Sequence, residues 1–135
     1  MSMHVHLFAA TKIEFARIDP FVGPAGSDWP YVDCADWLDG LTPLVAALTG
    51  RDISEFGEAE LVFPEVDDAE WEGPWVAQLP TADTEAMAFV DDATLRDYAE
   101  AERLGQAEID RNAALRDLCS EALTEEQDVY QWSSN

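Results

Sequence analysis

Positive charge is what this sequence most lacks. One lysine, Lys12, and six arginines face 29 aspartates and glutamates, a formal net charge of −22. A field of that sign repels phosphate backbones and anionic membrane surfaces and speeds encounter with basic partners. Direct nucleic-acid binding is therefore not expected. The same excess of carboxylate also serves a chain that only needs to stay soluble, so sign alone does not establish a binding role.

Cysteine is scarce too. Cys34 and Cys119 are the two present, far apart and without CxxC spacing, which fits buried thiols in a reducing compartment and neither a disulfide framework nor a zinc site. His4 and His6 are the two histidines, so an imidazole-dependent mechanism has little to draw on. No G-x-S-x-G elbow occurs. The GPAGS stretch at Gly23 to Ser27 lacks the lysine and the glycine spacing of a phosphate loop. The longest aliphatic run, Leu44 to Leu48, is far short of the roughly 18 residues that a membrane span requires. The opening MSMHVHLFAA has no basic n-region and too short an apolar run for a signal peptide. The expectation is a cytoplasmic protein with no membrane association.

What is present is ample core material. The apolar share is 47%, with five Trp, six Phe and three Tyr, enough for one compact domain over residues 1–135. His4 to Ala10 alternates as a strand, with Val5 and Leu7 on one face and His4, His6 and Phe8 on the other. Thr11-Lys12-Ile13-Glu14 matches a capping box ahead of a short helix that places Phe15 and Ile18 toward the core. Pro20 to Pro30 is a loop by its Gly and Pro content. Tyr31 to Gly50 carries an apolar stripe at helical spacing, with Asp33 as a cap and a break near Gly40 to Pro43. Asp33, Asp36 and Asp39 would line one solvated face of that helix; a calcium loop wants oxygens two apart around a sharp glycine turn.

Further strands are expected at Glu58 to Pro64, Pro74 to Leu79 and Ala86 to Val90. Beyond Asp91 and Asp92 a long helix begins with Leu95, Tyr98, Ala99, Glu102, Gly105 and Ile109 on one stripe. A second stripe, Leu104, Ala107, Leu115, Leu118 and Ala122, is rotated from it, and Gly105 marks a bend or break where they change over. The tail at 128–135 is expected to fray unless Tyr130 and Trp132 dock. The resulting class is α+β: a small, mostly antiparallel sheet of about four strands, packed by helices, with a long C-terminal helix or broken helix pair.

One stretch stands out. Between Arg51 and Arg96 there is no basic residue but there are thirteen carboxylates, and within it Glu65, Asp67, Asp68, Glu70 and Glu72 are interleaved with Trp71 and Trp75. Interfaces draw hot-spot energy from Trp in pockets, with rim charge setting encounter rate. The stretch therefore fits a non-enzymatic module of inhibitor or immunity type. Its partner would be basic (a nuclease, toxin or nucleic-acid-binding protein), and neither cofactor nor metal is called for. Against this stands the plainer role of Trp71 and Trp75 as core anchors at a sheet edge, with the acids facing water. The alternative from another class is a small carboxylate-dependent enzyme, or a ligand- or metal-binding domain using His4 and His6, which share one side of their strand. Glu70 and Glu72 beside two Trp have the composition of a glycosidase cleft, yet acids are so abundant that some such pair arises by chance.

Overall fold

The computed structural model describes residues 4–34, 37, 40–65 and 69–135. Its centre is a five-stranded sheet, antiparallel throughout, in the order β2-β1-β5-β4-β3. The strands are β1 (His4–Ala10), β2 (Val32–Asp33), β3 (Glu60–Phe63), β4 (Trp75–Gln78) and β5 (Asp128–Ser134). The fold is α+β, as its alternation of strand and helix patterns implies, with five strands where about four were expected.

β1 sits inside the sheet, and its pairing with β5 runs unbroken from His4↔Ser134 to Ala10↔Asp128. β5 is the main correction to the sequence reading. Residues 128–135 do not fray: Tyr130 and Trp132 dock, 3% and 8% exposed, and the strand joins β1 to β4 at the middle of the sheet. The physical reason lies in DVYQWSS itself, rich in β-formers, and in its two ladders, to β1 along the whole strand and to β4 from Tyr130 to Ser133.

Alternation along β1 and β5 gives the sheet two apolar faces. Val5, Leu7, Ala9 and Val129 belong to the larger core, whose other members include Leu41, Val45, Met87, Leu115, Cys119 and Ala122 from the helices. Phe8, Ala10, Val76, Tyr130 and Trp132 form the second cluster with Ile18, and Phe15, Trp29, Val62 and Phe63 pack against it. The helical layer consists of α3 (Leu41–Thr49), α4 (Thr81–Ala88), α5 (Asp92–Glu102) and α6 (Gln106–Thr124). The aromatic face is crossed by a segment holding two single helical turns, α1 (Lys12–Phe15) and α2 (Gly23–Gly26).

The capping box opens α1 as expected: the Glu14 amide donates to the Thr11 hydroxyl oxygen and the Thr11 amide to the Glu14 carboxylate. The break at Gly105 is also found. α5 ends with Arg103 in the left-handed region and Gly105 caps α6, so the long helix is a broken pair. The second stripe holds at Leu115, Leu118 and Ala122; Leu104 lies in the turn, and Ala107 is exposed.

Two expected elements differ. Ala86 to Val90 is not a strand but the end of α4 and the turn beyond it. Asp83, Thr84, Met87 and Val90 are its buried positions, a helical spacing that the polar identities of the first two conceal. The helix expected over Tyr31 to Gly50 is instead β2 followed, after a stretch only partly described, by α3. Asp33 is therefore a strand residue, and Cys34 follows a strand; Asp36 and Asp39 lie outside the described residues. Pro43 falls in the first turn of α3 and needs no helical partner for its missing amide, so the helix runs uninterrupted to Gly50, left-handed at its end. Both thiols are buried, which pushes Cys34 and Cys119 up to about 12.

Candidate functional site: aromatic rings beside the acidic loop

The acidic loop leaves β3 at Pro64 and returns at β4 through Gly73 and Pro74, with both X-Pro bonds cis. Asp67 and Asp68 lie outside the described residues. Glu65, Glu70 and Glu72 are exposed. Trp71 is half-buried, and its indole N–H donates to the Pro74 carbonyl at 2.8 Å.

The sheet separates the two tryptophans that the sequence set side by side. Trp75 stands opposite Ser133, which stands opposite Val5 of the helix-side core. Its neighbour Val76 points into the aromatic cluster, so alternation turns Trp75 to the helical side. There it lies over Gly73: a Cβ on that glycine would come within 2.6 Å of the Trp75 ring, and its φ of +97° also favours glycine. Trp71 lies with the rings of the other face. Its centroid is 5.8 Å from Phe63, edge to face, and 6.3 Å from Phe21, which itself meets Phe63 edge to face at 5.2 Å. Such geometries match positive ring edges to negative faces.

Phe21 and Phe63 are the members of this site that the sequence reading missed. Phe63 read as one more strand residue and Phe21 as loop filling. Phe21 is 61% exposed and its neighbour Val22 48%, an apolar pair beside a ring cluster. Their turn is braced on several sides. The Phe21 amide donates to the Asp19 carboxylate at 2.9 Å, the Asp19 amide to the Ser27 hydroxyl at 3.0 Å, and the Trp132 indole N–H to the Pro20 carbonyl at 2.8 Å. Gly23, at φ +73°, lies so close under Trp132 that a Cβ would sit 2.7 Å from its ring. The acidic loop is tied as well, by the Asn135 amide to the Glu72 carbonyl at 3.0 Å. The turn that carries the exposed ring is thus fixed by hydrogen bonds on several sides.

The histidines occupy the same side of the sheet. His4 is exposed. His6 is stacked on Tyr31 at 4.3 Å and tilted against Trp132 at 5.2 Å, with its Nε2 3.9 Å from Asp33. Its Nδ1 is buried without a hydrogen-bond partner. Burial lowers its pKa, partly offset by Asp33. Rings occupy the space around it, and among the described residues no three His, Cys, Asp or Glu side chains are grouped as for a metal ion.

The arrangement offers an exposed aromatic ring on a ring cluster, with Glu65 two residues beyond Phe63 and Glu70 and Glu72 on both sides of Trp71. Rings of this kind receive guanidinium and ammonium groups on their faces, and carboxylates take charge-assisted hydrogen bonds from the same groups. No protein-family model, curated protein or solved structure matches this chain, so the site's own chemistry carries the functional reading.

Proposed function

We propose that the protein is a binding module for a basic protein, of inhibitor or immunity type, and that Phe21, Phe63 and Trp71 form the centre of its contact surface. Glu65, Glu70 and Glu72 supply the rim, with Asp67 and Asp68 of the same loop. The observation that carries this reading is Phe21, left 61% exposed on a braced turn against Phe63 and Trp71 and next to the most acidic loop of the chain. An apolar centre inside a charged rim is the anatomy of a recognition surface. The net charge of −22 adds a long-range pull on basic partners and repels nucleic acid.

The test separates ring from charge. Immobilised protein is offered a lysate of its native host at low salt, beside a Phe21→Ser, Trp71→Ala variant of unchanged charge and a Glu65→Gln, Glu70→Gln, Glu72→Gln variant. A basic protein retained by the unaltered chain and lost from the ring variant is the expected result. In kinetic measurements with that protein, the glutamine variant associates more slowly and with a flatter salt dependence, whereas the ring variant dissociates faster. Equal retention by the ring variant would mean that charge alone is at work, and would sink the proposal.

A further inference from the structure

A second surface has a different chemistry. α5 and α6, joined through the turn at Arg103 to Gly105, enclose a groove of about 520 Å³, within the size range of small-molecule sites. Its apolar lining is Leu95 and Ala99 of α5, Leu104 of the turn, and Ile109 and Ala113 of α6. One polar side chain of the lining, Asn112, is 2% exposed. The Arg111 guanidinium donates to its Oδ1 from Nε at 3.3 Å and from Nη2 at 3.1 Å. A guanidinium can only donate, so the amide orientation is fixed and Nδ2 is the free end. No hydrogen bond from Nδ2 is found among the described residues.

The charge of the groove also departs from that of the molecule. Arg96 and Arg103 line it; Arg96 is 4.0 Å from Asp97 and also attracts Asp91. Of the two acids in the lining, Asp92 is held by Arg116 at 2.7 Å, which leaves Glu100 as the opposing charge. On a chain of −22, two arginines and the Asn112 amide thus line one apolar groove. A carboxylate is the head group that offers these donors a charged acceptor.

We propose that this groove binds a small amphiphile with an apolar chain and a carboxylate head. The chain lies against Leu95, Ala99, Ile109 and Ala113, and the carboxylate accepts from Asn112 Nδ2 between Arg96 and Arg103. The site is independent of the aromatic surface, and either can fail alone.

Decanoate, decanol and decylamine are the probes, titrated into the full chain by calorimetry and by two-dimensional NMR. Decanoate binds stoichiometrically below its micelle concentration and shifts the amides of Ala99, Ile109 and Ala113. Decanol binds roughly tenfold or more weakly, the loss expected when charge-assisted hydrogen bonds go, and decylamine more weakly still. Arg96→Gln with Arg103→Gln reduces decanoate to the level of decanol, and Ile109→Glu weakens both. Unchanged thermal midpoints show that the variants remain folded. Decylamine binding as tightly as decanoate, decanoate indifferent to the arginine pair, or shifts that map away from α5 and α6 would each overturn the proposal.

Discussion

The two faces of the sheet are built from the same strands and do different things. On one, Val5, Leu7 and Val129 meet Leu41, Val45, Leu115 and Ala122 under a helical layer. That face is mostly aliphatic and covered by the helices. On the other, Phe8, Tyr130 and Trp132 are covered by a segment with two single helical turns, and the cover leaves Phe21 61% exposed. Burial stabilises at about 25 cal/mol per Å² of apolar surface, and the helix-covered face holds the larger of the two buried clusters. Rings left at a surface, held by hydrogen bonds to their backbone, are available to a partner. Both faces bury core, but the exposed rings, and with them the proposed contact surface, lie on one side only.

The hardest blow to that division falls on the strand both faces share. β5 gives Val129 to the helical core and Tyr130 and Trp132 to the aromatic one, and its ladders hold β1 to β4. A chain ending at Gln127 is expected to show no cooperative thermal transition by circular dichroism. A truncated chain that still melts cooperatively would mean that the helical face stands without the sheet's centre.

A gentler test takes one residue from each face. Leu115 is fully buried, and Leu115→Ala should cost about 2–5 kcal/mol in urea unfolding, for the lost transfer energy and the cavity left behind. Phe21→Ala should stay within about 0.5 kcal/mol, as surface changes do, while removing the ring from the proposed contact surface. Losses of similar size would erase the distinction between the faces.

Much of this plan was legible in the sequence. β1, the capping box at Thr11, the strands around 60 and 76 and the break at Gly105 all rest on local chemistry, in periodicity and caps, that tertiary packing did not override. What escaped was set by tertiary partners. β5 is itself the seemingly free tail, and only β1 and β4 make it central. α4 buries Asp83 and Thr84 on its inner face, where a sequence pattern expects apolar residues. The acidic loop was found by composition, but its neighbours Phe21 and Phe63 come from elsewhere in the chain, and no spacing rule links residue 21 to residue 71. The opposite placement of Trp71 and Trp75 required the register of β4 against β5.

The smallest effect expected, and the sharpest contrast, is in pH. Each face buries one titratable side chain with an orphaned atom: Asp83 Oδ1 among the helices and His6 Nδ1 among the rings. Asp83 is fully buried, and its other oxygen accepts from the Thr42 hydroxyl. Burial raises its pKa above the ordinary 3.8, with the Thr42 hydrogen bond opposing. The folded state therefore keeps that proton to higher pH than the unfolded chain. The contribution to stability is whole below about 3.8 and is lost as pH rises through the raised value. His6 runs the other way. Burial lowers its pKa below 6.5, against the attraction of Asp33 and with the help of His4, so its contribution is whole above 6.5 and is lost as pH falls through the lowered value. Asp83→Asn keeps the shape and an acceptor for Thr42, and should stabilise the protein at neutral pH while losing that advantage toward pH 4. His6→Phe keeps the ring stack on Tyr31 and should remove part of the loss on acidification. Half-buried Glu14 and exposed Asp91, lowered by their hydrogen bonds, also weaken the fold in acid. The measurement is therefore each variant's difference from the unaltered chain in urea midpoint across pH 4 to 8. Differences that slope in opposite directions bear out the assignment; a flat difference for Asp83→Asn would mean that its carboxylate is solvated, and that the helical face is less closed than its packing implies.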